Sequence, residues 1–208
     1  MSFSKYLRVQ ANELWEKEQS HPFIQEIGIG KLPLTNFQYF MKQDYIFLIE
    51  FCKVIAICVA KTEKISDMKF FSSLLHETIN TEMDLHISFC SDFGITQQEL
   101  EKTLPSKVTH SYTNHLLKVA YSKSALDIAV SILPCAWGYS EIGQKLKSKG
   151  LPDHAPLYSK WIELYSSKEF EELSNQIKSY IDTESSNVSE QYKNDLENIF
   201  ITSSHHEY

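Results

Sequence analysis

The chain has 208 residues with a formal net charge of -7, and 42% of its residues are hydrophobic. A chain of this length buries a sizeable core, and because no linker-like stretch divides it, we expect one domain over residues 1–208. The negative charge argues against a nucleic-acid partner, since binding a phosphate backbone needs a clustered positive surface.

Apolar residues recur at helical spacing along almost the whole chain, and no segment alternates convincingly with a period of two. This pattern predicts an all-α, single-domain helical bundle. The first predicted helix ends at His21-Pro22, and Thr35 is predicted to cap a long second helix. The buried stripe of the first helix consists of Phe3, Leu7, Ala11, Leu14 and Trp15. That of the second consists of Phe37, Phe40, Met41, Phe47, Leu48, Phe51 and Ile55.

Asp44 interrupts the second stripe, four residues after Phe40 and four before Leu48, so its side chain is predicted to lie on the buried face. A buried carboxylate needs a partner because an unpaired charge is costly there, and an amino group or ring nitrogen of a ligand would serve. The alternative is a structural acid bonded to a nearby tyrosine. The pattern thus makes Asp44 a candidate ligand-binding residue.

A third helix is predicted to start after Ser66 and to stop at Gly94, where glycine adopts the left-handed closing conformation without strain. Its metal-capable side chains are His76, Glu77, Glu82 and His86. A di-iron site in a helical bundle also needs ligands from facing helices, commonly as Glu-x-x-His pairs, and the glutamate-to-histidine spacing here is four. We therefore predict a solvated helix face and no metal site.

Capping signals divide the rest of the chain. Thr96 with Glu99 forms a capping-box pattern for a short helix, and Ser124 is predicted to start a long helix that Gly150 ends. Similar start signals precede the last two helices, at Ser166 with Glu169 and at Asn187 with Glu190. The stretch 183–189 is too short for a domain linker and is predicted to be a helix connection.

The long helix contains a single cysteine with a tyrosine one turn later. Cys135 and Tyr139 share a helix face, and Pro134 removes a backbone donor and tends to kink the helix, which can turn the thiol toward a cavity. A lone cysteine is more often a small buried hydrophobic residue. Assignment of Cys135 as a nucleophile therefore rests on other residues of the chain.

Cysteine usage and hydropathy bear on the compartment. The four cysteines form no CxxC pair and fall in helix-like segments, so a disulfide framework or a zinc clip fits poorly and reduced thiols are expected. Residues 1–8 contain no apolar signal core, and no uninterrupted apolar run is long enough to span a bilayer. We expect a cytoplasmic protein without a membrane partner.

Seven segments, spread from the first helix to the last residue, together resemble the TenA family, also called thiaminase II. They are His21-Pro22-Phe23, 28–33 (GIGKLP), Gln43-Asp44-Tyr45, 111–115 (SYTNH), Leu133-Pro134-Cys135, 161–165 (WIELY) and 203–208 (SSHHEY). The resemblance implies a haem-oxygenase-like bundle, a homotetramer and no cofactor. It also implies hydrolysis of 4-amino-5-aminomethyl-2-methylpyrimidine, and more weakly of thiamin, to the hydroxymethyl pyrimidine in thiamin salvage.

The resemblance assigns roles that the residues alone do not. Cys135 matches the nucleophile and Glu207 the proton-shuttling glutamate, although by sequence alone Glu207 is merely a polar residue near a chain end. Asp44 matches the aspartate that binds the aminopyrimidine. The matched pocket positions are Phe47, Tyr112, Tyr139 and Tyr165.

Two departures from the family pattern affect the pocket. Phe47 stands where tyrosine is expected, so stacking on a heterocycle is retained while the hydroxyl hydrogen bond is lost. The family usually continues beyond the position of Tyr208 with aromatic residues, so less complete closure of the pocket is expected.

Two alternatives come from other functional classes. One is a haem-oxygenase-like di-iron oxidase, which iron bound to the purified protein would favour. The other is a non-catalytic pyrimidine-binding regulatory protein, which ligand binding without turnover would favour. No glycine-rich phosphate loop or nucleophile elbow occurs in the chain.

Overall fold

A computed structural model describes the backbone of residues 1–208 and every side chain except that of Leu85. Within this described chain the regular elements are all helical, so the all-α prediction is confirmed. The α-helices are α1 (Phe3–Gln10), α2 (Asn12–Ser20), α3 (Pro22–Gly28), α4 (Leu34–Lys61), α5 (Ile65–Glu77), α6 (Met83–Asp92), α7 (Gln97–Lys102), α8 (Lys107–Ser122), α9 (Ala125–Ser148), α10 (Pro156–Tyr165), α11 (Lys168–Glu184) and α12 (Glu190–Glu207).

The chain forms two compact units. The first consists of Met1–Leu32 and Ala129–Tyr208, and the second of Pro33–Ile128. The expectation of one domain over residues 1–208 stays a prediction. Among the described residues, no helix has both the length and the apolar character that crossing a bilayer requires.

The core of the first unit centres on Trp15, which is 1% exposed. Its ring stacks on Phe200 of α12 with centroids 6.0 Å apart and meets Trp137 of α9 edge-on at 5.5 Å. Its indole Nε1 donates a hydrogen bond of 3.0 Å to Ser204 Oγ. One tryptophan therefore holds α2, α9 and α12 together, and the hydrogen bond satisfies its buried polar atom.

The second unit is built around α4, which packs against α5, α6, α7 and α8. Phe37 is fully buried there, with its ring 4.8 Å from Phe93 and 6.1 Å from Phe89. All the predicted stripe positions of this helix are buried except Phe40, which is half-buried. Helical spacing therefore identified the packed face of α4.

Three helix boundaries differ from the sequence prediction. The first predicted helix is two helices, because Ala11 leaves the helical conformation at φ -90° and ψ 5°. The second predicted helix, α4, begins at Leu34, directly after Pro33, so Thr35 lies inside its first turn and caps nothing. The third runs from Ile65 to Asp92 as α5 and α6, joined by a π-helical turn at Thr78–Glu82.

Most of the capping signals in the sequence correctly predicted a helix end. Thr96 and Glu99 form the reciprocal capping box, and Gly94 closes α6 at φ +76°. Ser124 caps α9: its Oγ accepts the Asp127 N–H at 3.3 Å, and Asp127 Oδ2 accepts the Ser124 N–H at 3.1 Å.

The caps of the last two helices lie one and two residues later than predicted. Ser167 Oγ accepts the Phe170 N–H and caps α11, while Ser166 Oγ instead donates to the Glu163 carbonyl at the end of α10. Ser189 caps α12, after a 3₁₀ turn at Ser185–Asn187. The stretch 183–189 is thus a helix connection, as predicted.

Helix α9 runs unbroken through Pro134 and packs closely at Gly143. A Cβ at Gly143 would stand 2.5 Å from the carbonyl carbon of Tyr165, whereas at Gly138 its nearest neighbour, Glu18 Oε1, would be at 3.8 Å. We expect Gly143→Ala to lower the free energy of unfolding by about 1–3 kcal/mol, since backbone cannot move aside cheaply. The matched control Gly138→Ala is expected to be neutral or to stabilise by up to about 1 kcal/mol through helix propensity. Urea unfolding measures both, and equal midpoints would contradict the close packing.

Candidate active site

Cys135 and Tyr139 lie on the partly exposed face of α9. Both are half-buried, while the residues beside Cys135, Pro134 and Ala136, are buried. Cys135 therefore keeps part of its surface exposed, unlike the side chains that fill the core around it. This is the placement that the i, i+4 spacing predicted.

An aromatic cluster adjoins this face and consists of Tyr139, Trp161, Tyr165 and Phe170. Tyr139 lies with its ring centroid 4.7 Å from Tyr165 and 6.0 Å from Trp161. The structure thus brings together two of the predicted pocket residues. The Trp161 indole Nε1 is buried and has no hydrogen-bond acceptor among the described atoms. A donor of this kind is commonly satisfied by water or a ligand.

Glu207 lies in the last turn of α12 and is half-buried. The turn is anchored, because the buried Ser204 accepts the hydrogen bond from Trp15. Glu18 of α2 is a second acid nearby that the sequence analysis missed. Burial, and then the negative charge of Glu207, raise the pKa of Glu18 to about 8. The sequence did carry a signal for this burial, because Glu18 follows Trp15 by three residues and so shares its helix face.

Asp44, in the second unit, has an intramolecular partner. Its Oδ2 lies 3.2 Å from His86 Nε2, and the two side chains are 13% and 5% exposed. The two side chains form an ion pair when the imidazole is protonated. Asp44 therefore lies on the buried face, as predicted, and the charged group facing it is a histidine rather than a tyrosine.

The prediction of a solvated face on the third helix is wrong at His86, which is buried. His76 and Glu77 are exposed, but His86 is buried and Glu82 half-buried. Burial lowers the pKa of His86, yet its contacts with Asp44 and Cys90 outweigh this and raise it to about 10. The spacing did not reveal that the face shared by Glu82 and His86 turns inward.

Glu82 ends the π-helical turn, a feature that often occurs at functional sites. Burial and then the charge of Asp44 raise the pKa of Glu82 to about 7, against the opposing effect of His86. Across the described residues, no group of three His, Cys, Asp or Glu side chains is arranged to hold a metal ion. The cluster thus consists of two acids, Asp44 and Glu82, beside the imidazole of His86.

Phe47 and Tyr112 are also brought together in the second unit. Their ring centroids are 5.0 Å apart, and Phe47 stacks on Phe51 at 5.5 Å. Phe47 follows Asp44 by three residues on α4, so both share a helix face. The predicted site residues are thus divided between the units, with Cys135, Tyr139, Tyr165 and Glu207 in the first and Asp44, Phe47 and Tyr112 in the second.

The four cysteines are free thiols in different surroundings. Burial, as the first cause, raises the pKa of Cys52 to about 11 and that of Cys58 to about 12, which makes both poor nucleophiles. Cys90 Sγ lies 3.5 Å from His86 Nδ1 but is 0% exposed, so it is closed to a substrate. The half-buried Cys135 is thus the best placed of the four for covalent chemistry.

Comparison with known proteins identifies relatives over nearly the whole chain. The sequence is 44% identical over 205 residues to the aminopyrimidine aminohydrolase of Halalkalibacterium halodurans, covering 98% of this chain and 91% of that protein. A crystal structure from Silicibacter sp. TM1040, described as a TenA family transcription regulator, superposes with a TM-score of 0.92 at 28% identity, covering 99% of this chain and 92% of that one.

A more distant structure, from Shewanella denitrificans, is described as a domain of unknown function with a heme oxygenase-like fold. It matches with a TM-score of 0.77 at 15% identity and covers 97% of this chain and 87% of that chain. This likeness concerns the fold alone, and it confirms the predicted haem-oxygenase-like arrangement. The sequence profile of the TENA/THI-4/PQQC family matches residues 8–208. The chain belongs to the TENA/THI-4/PQQC family, as the dispersed segments predicted.

Proposed function

We propose that the protein is an aminopyrimidine aminohydrolase, or thiaminase II, that acts in thiamin salvage. It hydrolyses the carbon–nitrogen bond of the aminomethyl pyrimidine and releases the hydroxymethyl pyrimidine and ammonia, with thiamin as a weaker substrate. The observation that carries the proposal is the partly exposed Cys135 beside an aromatic cluster. The chain is also similar to a protein of Halalkalibacterium halodurans that is named aminopyrimidine aminohydrolase.

The reaction uses Cys135 as nucleophile and Glu207 as acid and base. The Cys135 thiolate adds to the pyrimidine ring while Glu207 protonates a ring nitrogen. The ring electrons then expel the amine, which the substrate carries as an ammonium group, from the exocyclic methylene as ammonia. Water adds to that carbon and gives a proton to Glu207. The carbon–sulfur bond then breaks, the ring nitrogen loses its proton and the ring is restored. The sum is one water consumed and one ammonia and one proton released, without a cofactor.

The pocket residues have binding roles in this proposal. Asp44 holds the amidine-like edge of the aminopyrimidine through charge-assisted hydrogen bonds, and its other partner is His86. Aromatic rings offer flat faces on which the heterocycle can stack, as is common for such ligands. These rings are Phe47, Tyr112, Tyr139 and Tyr165.

We expect Asp44→Asn to weaken binding of the hydroxymethyl pyrimidine by about 10- to 100-fold. A hydrogen bond to a charged group contributes roughly 1.5–3 kcal/mol, and the amide keeps the shape while losing the charge. Titration calorimetry measures the affinity, with Glu50→Gln as the control, because Glu50 is on the same helix and pairs with Lys53 instead. An unchanged affinity with a lowered melting temperature would reduce Asp44 to a structural partner of His86.

The function is tested by incubating the protein with the aminomethyl pyrimidine and, separately, with thiamin. Ammonia release and formation of the hydroxymethyl pyrimidine are followed together. We expect both products from the first substrate, at a higher rate than the pyrimidine product from thiamin. Tight binding of the pyrimidine without turnover would instead favour the regulatory alternative, and iron that co-purifies and supports oxidation would favour the di-iron oxidase.

We propose further that the protein is a single-domain homotetramer of the cytoplasm. Four free thiols suit a reducing compartment. Exposed apolar side chains in the second unit support an interface between copies: Leu104, Val108 and Tyr121 are 82%, 68% and 73% exposed. Light scattering coupled to gel filtration distinguishes a tetramer from smaller assemblies.

A further inference from the structure

Glu18 is a buried acid that the proposed reaction does not use. It lies on α2 and is 8% exposed. Within the described structure, no hydrogen bond to its carboxyl group is found. Burial without a hydrogen-bond donor disfavours the carboxylate and favours the protonated acid. Glu18 thus has the properties of a group that keeps its proton near neutral pH.

The register of α2 against α12 places Glu18 beside Glu207. The two helices meet at Trp15, whose indole donates to Ser204, and again where the His21 ring lies 6.2 Å from that of Tyr208. Glu18 lies midway between Trp15 and His21, while Glu207 follows Ser204 by three residues. Since an α-helix rises about 1.5 Å per residue, three residues beyond the first contact Glu18 and Glu207 lie at the same level along the two helices.

The other side of Glu18 faces the helix that carries the proposed nucleophile. A Cβ at Gly138 would stand 3.8 and 3.9 Å from the two Glu18 carboxyl oxygens. Gly138 is three residues after Cys135 and directly precedes Tyr139. The Glu18 carboxyl group therefore lies against the same turn of α9 that presents the accessible face.

The charged groups facing Glu18 come from three helices. They are Arg8 of α1, Glu141 of α9 and Glu207 of α12. Arg8 donates two hydrogen bonds to Glu141, at 2.9 and 3.2 Å, so its positive charge is largely compensated. The pKa of about 8 therefore has burial as its first cause, then Glu207, with a smaller opposing effect from Arg8.

We propose that Glu18 is a positioning residue that shares one proton with Glu207 and so keeps that proton on the pair, where Glu207 can donate it. A buried carboxyl group and a half-buried one beside it resist ionising together, because the second negative charge is placed next to the first. The pair titrates as a unit, and one proton stays on it up to mildly alkaline pH. This inference rests on the proposed function, in which Glu207 both donates and accepts a proton.

Protons balance through the cycle. Glu207 gives the shared proton to the ring nitrogen, which leaves the pair without a proton. The proton that Glu207 later takes from water restores the pair. Glu18 touches no substrate atom in this scheme and acts only through Glu207.

The first test compares the dependence of kcat/KM on pH in the wild type, Glu18→Gln and Glu16→Gln. In Glu18→Gln only one carboxyl group remains, so its proton is lost more easily and the alkaline limb is expected to move to lower pH by about one unit or more. Glu16 is exposed on the same helix, so Glu16→Gln is expected to keep the wild-type profile. An unshifted limb in Glu18→Gln overturns the positioning role.

The second test needs no turnover. Carboxyl ¹³C resonances of glutamate-labelled protein report the titration of Glu18 in the wild type and in Glu207→Gln, with Glu18→Gln used to assign the signal. We expect the pKa of Glu18 to fall when the charge of Glu207 is removed. An unchanged Glu18 titration overturns the shared proton, whereas absence of hydrolysis by the wild type overturns the proposed function and leaves this coupling measurable.

Discussion

Replacing Cys135 with serine is expected to abolish hydrolysis of the aminomethyl pyrimidine while preserving the fold and pyrimidine binding. The hydroxyl is similar in size to the thiol but is far less nucleophilic near neutral pH. Loss of a catalytic nucleophile costs several orders of magnitude, so we expect a fall in kcat of roughly 10³-fold or more. Because Cys135 is half-buried on a partly exposed helix face, the substitution removes no core contact of a large side chain.

The Cys135→Ser experiment pairs ammonia release with calorimetric binding of the hydroxymethyl pyrimidine. Cys52→Ser is the matched control, since Cys52 is also half-buried and burial raises its pKa to about 11. The control is expected to retain the wild-type rate. A near-normal rate in Cys135→Ser would remove this residue from the nucleophile role and return it to the small buried hydrophobic class.

The second large effect is expected for Glu207→Gln. The amide keeps the shape and hydrogen bonding of the acid but cannot exchange a proton, so substrate binding persists while the rate falls. Removal of a general acid or base typically costs about 10²- to 10⁴-fold. The anchoring of the last turn of α12 through Ser204 argues that Glu207 is held in place rather than frayed.

Rate profiles against pH test this role of Glu207. Glu190→Gln serves as the control, because Glu190 is exposed in the first turn of the same helix and pairs with Lys193. We expect the control to match the wild type in rate and profile. If Glu207→Gln also matched both, the end of α12 would be structural and the protons would have to move through another group.

What the sequence determined by itself is mostly local. The capping box of Thr96 and Glu99 and the shared face of Cys135 and Tyr139 join residues three or four positions apart, where helix geometry dictates the contact. The apolar stripe of α4 followed from the same period. Predictions failed where two local signals competed, as at Ser166 and Ser167, because adjacent serines offer nearly equivalent caps.

The roles of several site residues came from the resemblance rather than from spacing. Glu207 carries no local signal, and Tyr165 is one of eleven tyrosines in the chain. The distant segments matched a family pattern as a set, and this match allowed the fold and the reaction class to be predicted. The assignment of Glu207 and Tyr165 to the active site stays a prediction.

Only the tertiary structure decided which buried charges meet. His86 faces Asp44 across 42 positions of sequence, and the Trp15 to Ser204 contact that sets Glu18 beside Glu207 spans 189. Helical periodicity tells which residues share a face, but the packing of one helix on another decides whether that face is solvated and which charge lies opposite. The pKa values of Glu18, Glu82 and His86 follow from that packing, because burial and the nearest charge set them.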